Sequence, residues 1–101
     1  MILETADLTL TPGQEAEFEA AVRQAVPLFL GSQGCRGVRL HRVVETPGLY
    51  RLLVNWETLE DHTVHFRRSD AFAQWRALVS AHFATPPAVT HSDEVLSSSE
   101  G

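Results

Sequence analysis

Residues 49–66 read LYRLLVNWETLEDHTVHF, and within them the spacing of apolar residues changes from two to helical. Tyr50, Leu52, Val54 and Trp56 alternate along one side of an extended segment, with Leu49 and Leu53 on the other. After Trp56 the alternation stops. Thr58 followed by Asp61 three positions later is the pattern of a helix start, where two side chains and two backbone N–H groups satisfy one another. Leu59, His62, Thr63 and Phe66 then recur on one side. The stretch therefore predicts a strand over 49–56 and a helix over 58–68. It also holds two histidines, His62 and His65, beside Glu57, Glu60 and Asp61. The carboxylates are explained by the positive end of the helix. Zinc needs at least three protein ligands, and no third one stands at recognisable spacing, so no metal site is expected. His62 lies on the inward row and His65 at its edge.

Working outward from that stretch, 38–44 reads as a second strand, joined to 49–56 by the hairpin loop Glu45-Thr46-Pro47-Gly48. Residues 2–10 form a first strand with Ile2, Ala6, Leu8 and Leu10 on its greasier side. Thr11, Pro12 and Gln14 predict a helix capped at Thr11. Its apolar stripe is Phe18, Ala21, Val22, Ala25, Val26 and Phe29, with Pro27 loosening the last turns. Ser69-Asp70 breaks or re-caps the second helix before residues 71–83, where Phe72, Trp75, Leu78, Val79, His82 and Phe83 share a face. Pro86-Pro87 launches a last strand over 88–95. Residues 1–96 are thus one domain, and 97–101 a flexible C-terminal tail.

The order βαββαβ is the ferredoxin-like arrangement: α+β, a four-stranded antiparallel sheet with both helices on one face. Because 49–56 carries apolar residues on both parities, the second sheet face is expected to be covered by a partner.

Bulk properties narrow the function. The chain has 101 residues, enough for one small core. A net charge of −5 argues against nucleic acid, whose phosphates need a basic surface. All eight basic residues are arginine, which excludes a Schiff-base lysine. The single cysteine, Cys35, forms no internal disulfide and is expected as a small buried hydrophobe rather than a reactive thiol. No apolar run approaches the roughly 20 residues of a membrane span, and no leader precedes the first strand. A soluble, cytoplasmic protein with no membrane partner is expected.

With that topology, several segments resemble the antibiotic biosynthesis monooxygenase (ABM) domain, a dimeric α/β barrel. They are Leu8-Thr9-Leu10-Thr11-Pro12-Gly13, Gly34-Cys35, 50–56, Glu60-Asp61-His62, Phe66-Arg67-Arg68-Ser69, Trp75, and Pro86-Pro87 with Val89 and His91. The resemblance runs from residue 2 to about residue 95. It implies a homodimer joined through its sheet faces and a small cavity between sheet and helices in each subunit. It also implies oxygenation of aromatic phenols by molecular oxygen, without metal, flavin or haem, the substrate anion serving as reductant. A haem-degrading branch of the same fold uses an asparagine, a tryptophan and a histidine. This chain has Ala6, Phe66 and Arg76 at those places, which argues against haem degradation.

Under the resemblance, His62 or His91 would take a phenolic proton, since an imidazole titrates near neutrality. Arg51 or Asn55, which share one parity of their strand, would hold the resulting oxyanion or peroxide. Phe66, Phe72 and Trp75 are candidate aromatic contacts for a small phenolic or quinol-type substrate. The rival reading is a dimeric non-enzymatic protein, stress-associated or binding a small ligand. An isomerase or quinol-processing enzyme would also fit the scaffold.

Overall fold

A computed structural model of the protein describes residues 1–99. The elements follow in the order β1 (Ile2–Thr9), α1 (Glu15–Leu30), β2 (Cys35–Arg42), β3 (Leu49–Trp56), a π-helical turn (Asp61–Phe66), α2 (Asp70–Val79), a 3-10 turn (Ser80–His82) and β4 (Ala88–Asp93). The four strands are antiparallel in the order β2-β3-β1-β4. The expected ferredoxin-like α+β fold is therefore present, with β1 and β3 at the centre.

Alternation decides which side of the sheet is covered. Ala6 and Leu8 on β1, with Tyr50, Leu52, Val54 and Trp56 on β3, are buried against Phe18, Ala25 and Phe29 of α1 and Trp75 and Val79 of α2. The other side carries Leu3, Leu49 and Leu53, half-buried, among Thr5, Asp7, Arg39, Arg51 and Asn55. Arg51 pairs with Asp7 there, Nε to Oδ1 at 3.0 Å.

Several element boundaries differ from the sequence expectation, and four of the differences have a clear local reason. The first helix starts at Glu15 after an N-cap at Gln14, not at Thr11. Gly13 has φ +88°, which no α-helix contains, so Thr11-Pro12-Gly13 is a turn and the Gln14 N–H donates to the Thr11 carbonyl. Strand β2 begins at Cys35 rather than residue 38, because pairing with Trp56 starts directly after the Gly34 turn and continues through a bulge. Strand β4 stops at Asp93, which already pairs with Ile2 at the beginning of β1. Val95 and Leu96 beyond it are exposed. The helix after Thr58 widens: the Arg67 N–H reaches back five residues to the His62 carbonyl at 3.3 Å. That wider turn keeps Asp61, His62 and Phe66 buried together.

The reciprocal cap at Thr58 and Asp61 forms as expected. The Asp61 N–H donates to Thr58 Oγ1 (3.1 Å) and the Thr58 N–H to Asp61 Oδ2 (3.3 Å). Asp61 is buried by this role and also accepts from Gln33 Nε2 at 3.2 Å. Ser69 caps α2 through the Phe72 N–H. Cys35 is buried in the core, where burial pushes its thiol up, away from the reactive thiolate. Of the expected tail, 97–99 are exposed and irregular, and 100–101 lie outside the described residues.

Gly34 links these features. It has φ +79°, its carbonyl accepts from the Glu57 N–H at 2.8 Å, and a Cβ there would collide with the Asp61 carboxylate. Gly13 has a similar φ but open space around it. Gly13→Ala is thus expected to lose about 1 kcal/mol from backbone strain alone. Gly34→Ala should lose about 3 kcal/mol or more, because the collision displaces the buried cap. Urea denaturation of the two variants beside the parent measures that difference.

Candidate active site

The site is built on one out-of-pattern residue. Glu4 lies on the same parity of β1 as Ala6 and Leu8, so its carboxylate points into the apolar layer and is only 5% exposed. The register sets Val54 opposite it on β3 and His91 opposite it on β4. Trp56, at the end of β3, donates its indole N–H to Glu4 Oε1 at 3.0 Å. The π-helical turn then lowers His62, 3% exposed, onto this pair. Its ring stacks on Trp56 with centroids 5.4 Å apart and planes 23° from parallel. Its Nε2 lies 3.3 Å from Glu4 Oε1, and its Nδ1 lies 2.8 Å from Nε2 of His91.

The electrostatics follow from burial. Desolvation pushes the His62 imidazole down to about 4, and the positive charge of Arg67 and the neighbouring His91 act the same way. His91 is lowered too, by desolvation and then by Arg67. Both rings are therefore neutral at pH 7 and share one hydrogen across the short contact. An N–H on His62 Nε2 faces a carboxylate oxygen rather than opposing it, so the favoured tautomer has His91 Nε2–H donating to His62 Nδ1. Glu4 is raised by burial, against the Trp56 bond and the charge of Arg67, which both hold it down.

Glu4 and His62 line a cavity of about 480 Å³ between sheet and helices. Aliphatic residues such as Leu8, Leu52 and Val89 share its lining with an aromatic cluster: Phe29 stacks on Phe66 with centroids 5.1 Å apart and meets the edge of Trp75 at 4.9 Å, and Phe66 meets Phe72 at 5.5 Å. Arg67 and Arg76 also line it, both with exposed side chains. The size and lining are those of a small-molecule pocket. It can hold a flat ring against aromatic faces, offer it a buried carboxylate and a neutral imidazole, and present positive charge to any anion formed.

The structure brings together five of the seven site residues expected from sequence: His62, Phe66, Phe72 and Trp75 line the cavity, and His91 bonds His62. It does not bring Arg51 or Asn55 there. Both occupy the opposite sheet face, Arg51 paired with Asp7 and Asn55 in a recess with Leu3 and Arg39. The buried parity of β3 belongs to Tyr50, Leu52, Val54 and Trp56, which forces the intervening residues outward. Sequence reading passed over Glu4 and Arg67. The signal for Glu4 was present as a lone carboxylate among Ile2, Ala6 and Leu8 on one parity. His65 is exposed, as expected. Among the described residues no group of three His, Cys, Asp or Glu side chains is arranged to hold a metal ion. No helix among them is long and apolar enough to cross a membrane.

Comparison with known proteins places the chain and its fold. The sequence profile described as "Antibiotic biosynthesis monooxygenase" matches residues 1–78. The uncharacterized protein YczJ of Bacillus subtilis (strain 168) is 42% identical over 95 residues, covering 94% of this chain and 100% of that one. A crystal structure from Bordetella bronchiseptica, called a "putative antibiotic biosynthesis monooxygenase", superposes with a TM-score of 0.92. It is 52% identical and covers 94% of this chain and 97% of its own. Rv0793 of Mycobacterium tuberculosis shares the fold at 20% identity, with a TM-score of 0.78 over 97% of this chain and 98% of that one.

Burial of His62 carries a pH signature. Its imidazole stands at about 4 in the fold against an ordinary 6.5, so between those values the unfolded chain holds a proton that the folded chain lacks. The stability it contributes is present above pH 6.5 and is lost as pH falls toward 4. His91 acts in the same direction. Glu4, raised above 4.5, acts in the opposite sense and offsets part of the loss near the acid end. Between pH 7 and pH 5 a loss on the order of 2 kcal/mol is expected. His62→Gln should flatten it, which denaturation curves at both pH values would show.

Proposed function

The chain belongs to the antibiotic biosynthesis monooxygenase family, and we propose that it is a cofactor-independent monooxygenase acting on a small phenolic or quinol-type aromatic bound in the cavity. The observation that carries this reading is the Glu4–His62–His91 cluster, with Glu4 and His62 buried, beside a cavity of about 480 Å³ that aromatic residues help to line. The other side of the sheet, with Leu3, Leu49 and Leu53 half-buried, is proposed as the homodimer contact.

The chemistry asks little of the protein beyond binding, deprotonation and exclusion of water. The substrate hydroxyl gives its proton to the Glu4–His62 unit. The candidate base broadens from the two histidines to include Glu4, because an imidazole at about 4 is a weak base while a carboxylate raised by burial is a stronger one. His91 fixes the His62 tautomer through the 2.8 Å contact, which makes it a positioning residue. Oxyanion stabilisation falls to Arg67, whose charge already reaches Glu4, His62 and His91. The electron-rich ring carbon of the phenolate reduces dioxygen and bonds to it, and the adduct is protonated to a hydroperoxide. Loss of the ring C–H proton with cleavage of the O–O bond leaves a carbonyl and releases one water. One oxygen atom stays in the product, the other leaves as water, and all four electrons come from the substrate.

Oxygen-electrode assays with electron-rich phenols and dihydroxynaphthalenes test this. Uptake of one dioxygen per substrate is expected, with a rate that rises with pH through a value above the ordinary carboxylate range. Glu4→Gln and His62→Ala should lower kcat by about a hundredfold, within the range for loss of a general base. His65→Ala, exposed on the same turn, should leave it unchanged. Full activity in the Glu4 and His62 variants would remove the assigned roles. Tight binding of these aromatics with no oxygen consumption would favour a ligand-binding protein.

A further inference from the structure

The arginines fall into two groups. Arg23 and Arg42 are paired with Glu19, Arg36 with Glu57 and Arg51 with Asp7. No carboxylate of the described residues lies within salt-bridge distance of Arg39, Arg67, Arg68 or Arg76. The chain carries 13 acidic residues against eight arginines, so acidic partners are not scarce. Two of the unpaired guanidiniums, Arg67 and Arg76, line the same cavity. Arg67 follows the π-helical turn, anchored by its backbone bond to the His62 carbonyl. Arg76 lies one helical turn beyond Phe72, its guanidinium 5.9 Å from the Phe72 ring centroid. The cavity thus combines apolar and aromatic lining, a buried carboxylate and imidazole, and two cations without an acidic partner among the described residues.

We infer that Arg67 and Arg76 form an anion subsite, and that the ligand of this cavity is a planar aromatic bearing a carboxylate beside its reactive hydroxyl. The inference rests on the cavity being the substrate site proposed above and adds the class of substrate. A guanidinium presents a planar fork of donors that matches a carboxylate in two parallel hydrogen bonds. A phenol alone offers one oxygen, which one guanidinium can serve. The buried carboxyl of Glu4 would repel a carboxylate placed beside it, so the acid group is oriented toward the arginines and the hydroxyl toward Glu4 and His62. One bound orientation follows.

Isothermal titration under nitrogen, with 1-hydroxy-2-naphthoate and 1-naphthol as probes, tests the subsite separately from oxygenation. At low ionic strength the carboxylate compound is expected to bind at least tenfold more tightly, with the preference shrinking in high salt. R67Q and R76Q should each reduce that preference, and the double variant should bring the affinities of the two probes together. Equal affinities, a preference that survives in the double variant, or no binding of either probe would overturn the subsite. Oxygen uptake read in parallel keeps the two proposals apart. A carboxylate preference without turnover removes the oxygenase reading and leaves the subsite. Turnover of 1-naphthol without a carboxylate preference does the reverse.

Discussion

A carboxylate on the buried face of β1 is the constraint around which the site is arranged. Stranded there without partners, the Glu4 side chain would cost several kcal/mol. The fold offsets that cost with groups from two other elements, the Trp56 indole from the end of β3 and the His62 ring from the π-helical turn, and His91 on β4 holds His62 in its turn. Each partner is placed in turn by a backbone feature. Trp56 ends the buried parity of β3, His62 enters through the widened turn, and His91 is set by the β1–β4 register. A one-residue slip of β4 would turn His91 to the far side of the sheet and leave His62 Nδ1 without its partner.

The cavity follows from the same placement. Where Glu4 and His62 occupy the layer between sheet and helices, aliphatic packing is interrupted, and the Ser69 cap restarts the helix as α2. Phe29, Phe66, Phe72 and Trp75 surround the interruption without filling it. A ring of aromatic faces keeps such a space open at modest cost, because the rings pack on one another at 4.9 to 5.5 Å. Stability is sacrificed at the polar end: a neutral His62 at about 4 means the fold resists protonating a group that water would protonate readily. Structural roles are usually filled at lower cost by aliphatic side chains, and desolvated titratable groups beside a cavity are the pattern of sites that act on ligands.

Much of the scaffold was legible because its signals are periodic. The alternation of Tyr50, Leu52, Val54 and Trp56 locates β3 to the residue, and Thr58 with Asp61 forms the expected cap. The stripe Phe18, Ala21, Val22, Ala25, Phe29 is buried as its spacing requires. Helix widening and the start of α1 were not legible. The first depends on how His62 and Phe66 meet the sheet, and the second on Gly13 adopting positive φ where a capping pattern was also present. In the site, the inward row through His62 could be read from helical spacing. The meeting of His62 with His91 could not, because a register between β1 and β4 is not written in either strand. Arg51 and Asn55 could be read either as cavity lining or as a dimer contact for a related reason: parity groups residues on a face but does not say which face meets the helices. Glu4 broke a parity that had already been recognised, and an out-of-place carboxylate proved the more informative residue.

The polarity of the cavity gives the proposed reaction a direction. Before proton transfer the negative charge lies on Glu4, where burial disfavours it and raises its affinity for a proton. After transfer the carboxyl is neutral and the charge lies on the bound ring, whose π-system spreads it toward Arg67 and Arg76. The total charge in the cavity is unchanged, so no ion has to enter or leave in step with the chemistry. What changes is its position, from a buried carboxylate to a ring within the field of the arginines, which is the sense that lowers the energy of the phenolate relative to the phenol. Neutral imidazoles favour that displacement, since a cationic His62 beside Glu4 would hold the charge on the carboxylate. The low value of His62 is on this argument a requirement of the mechanism as well as a consequence of its burial.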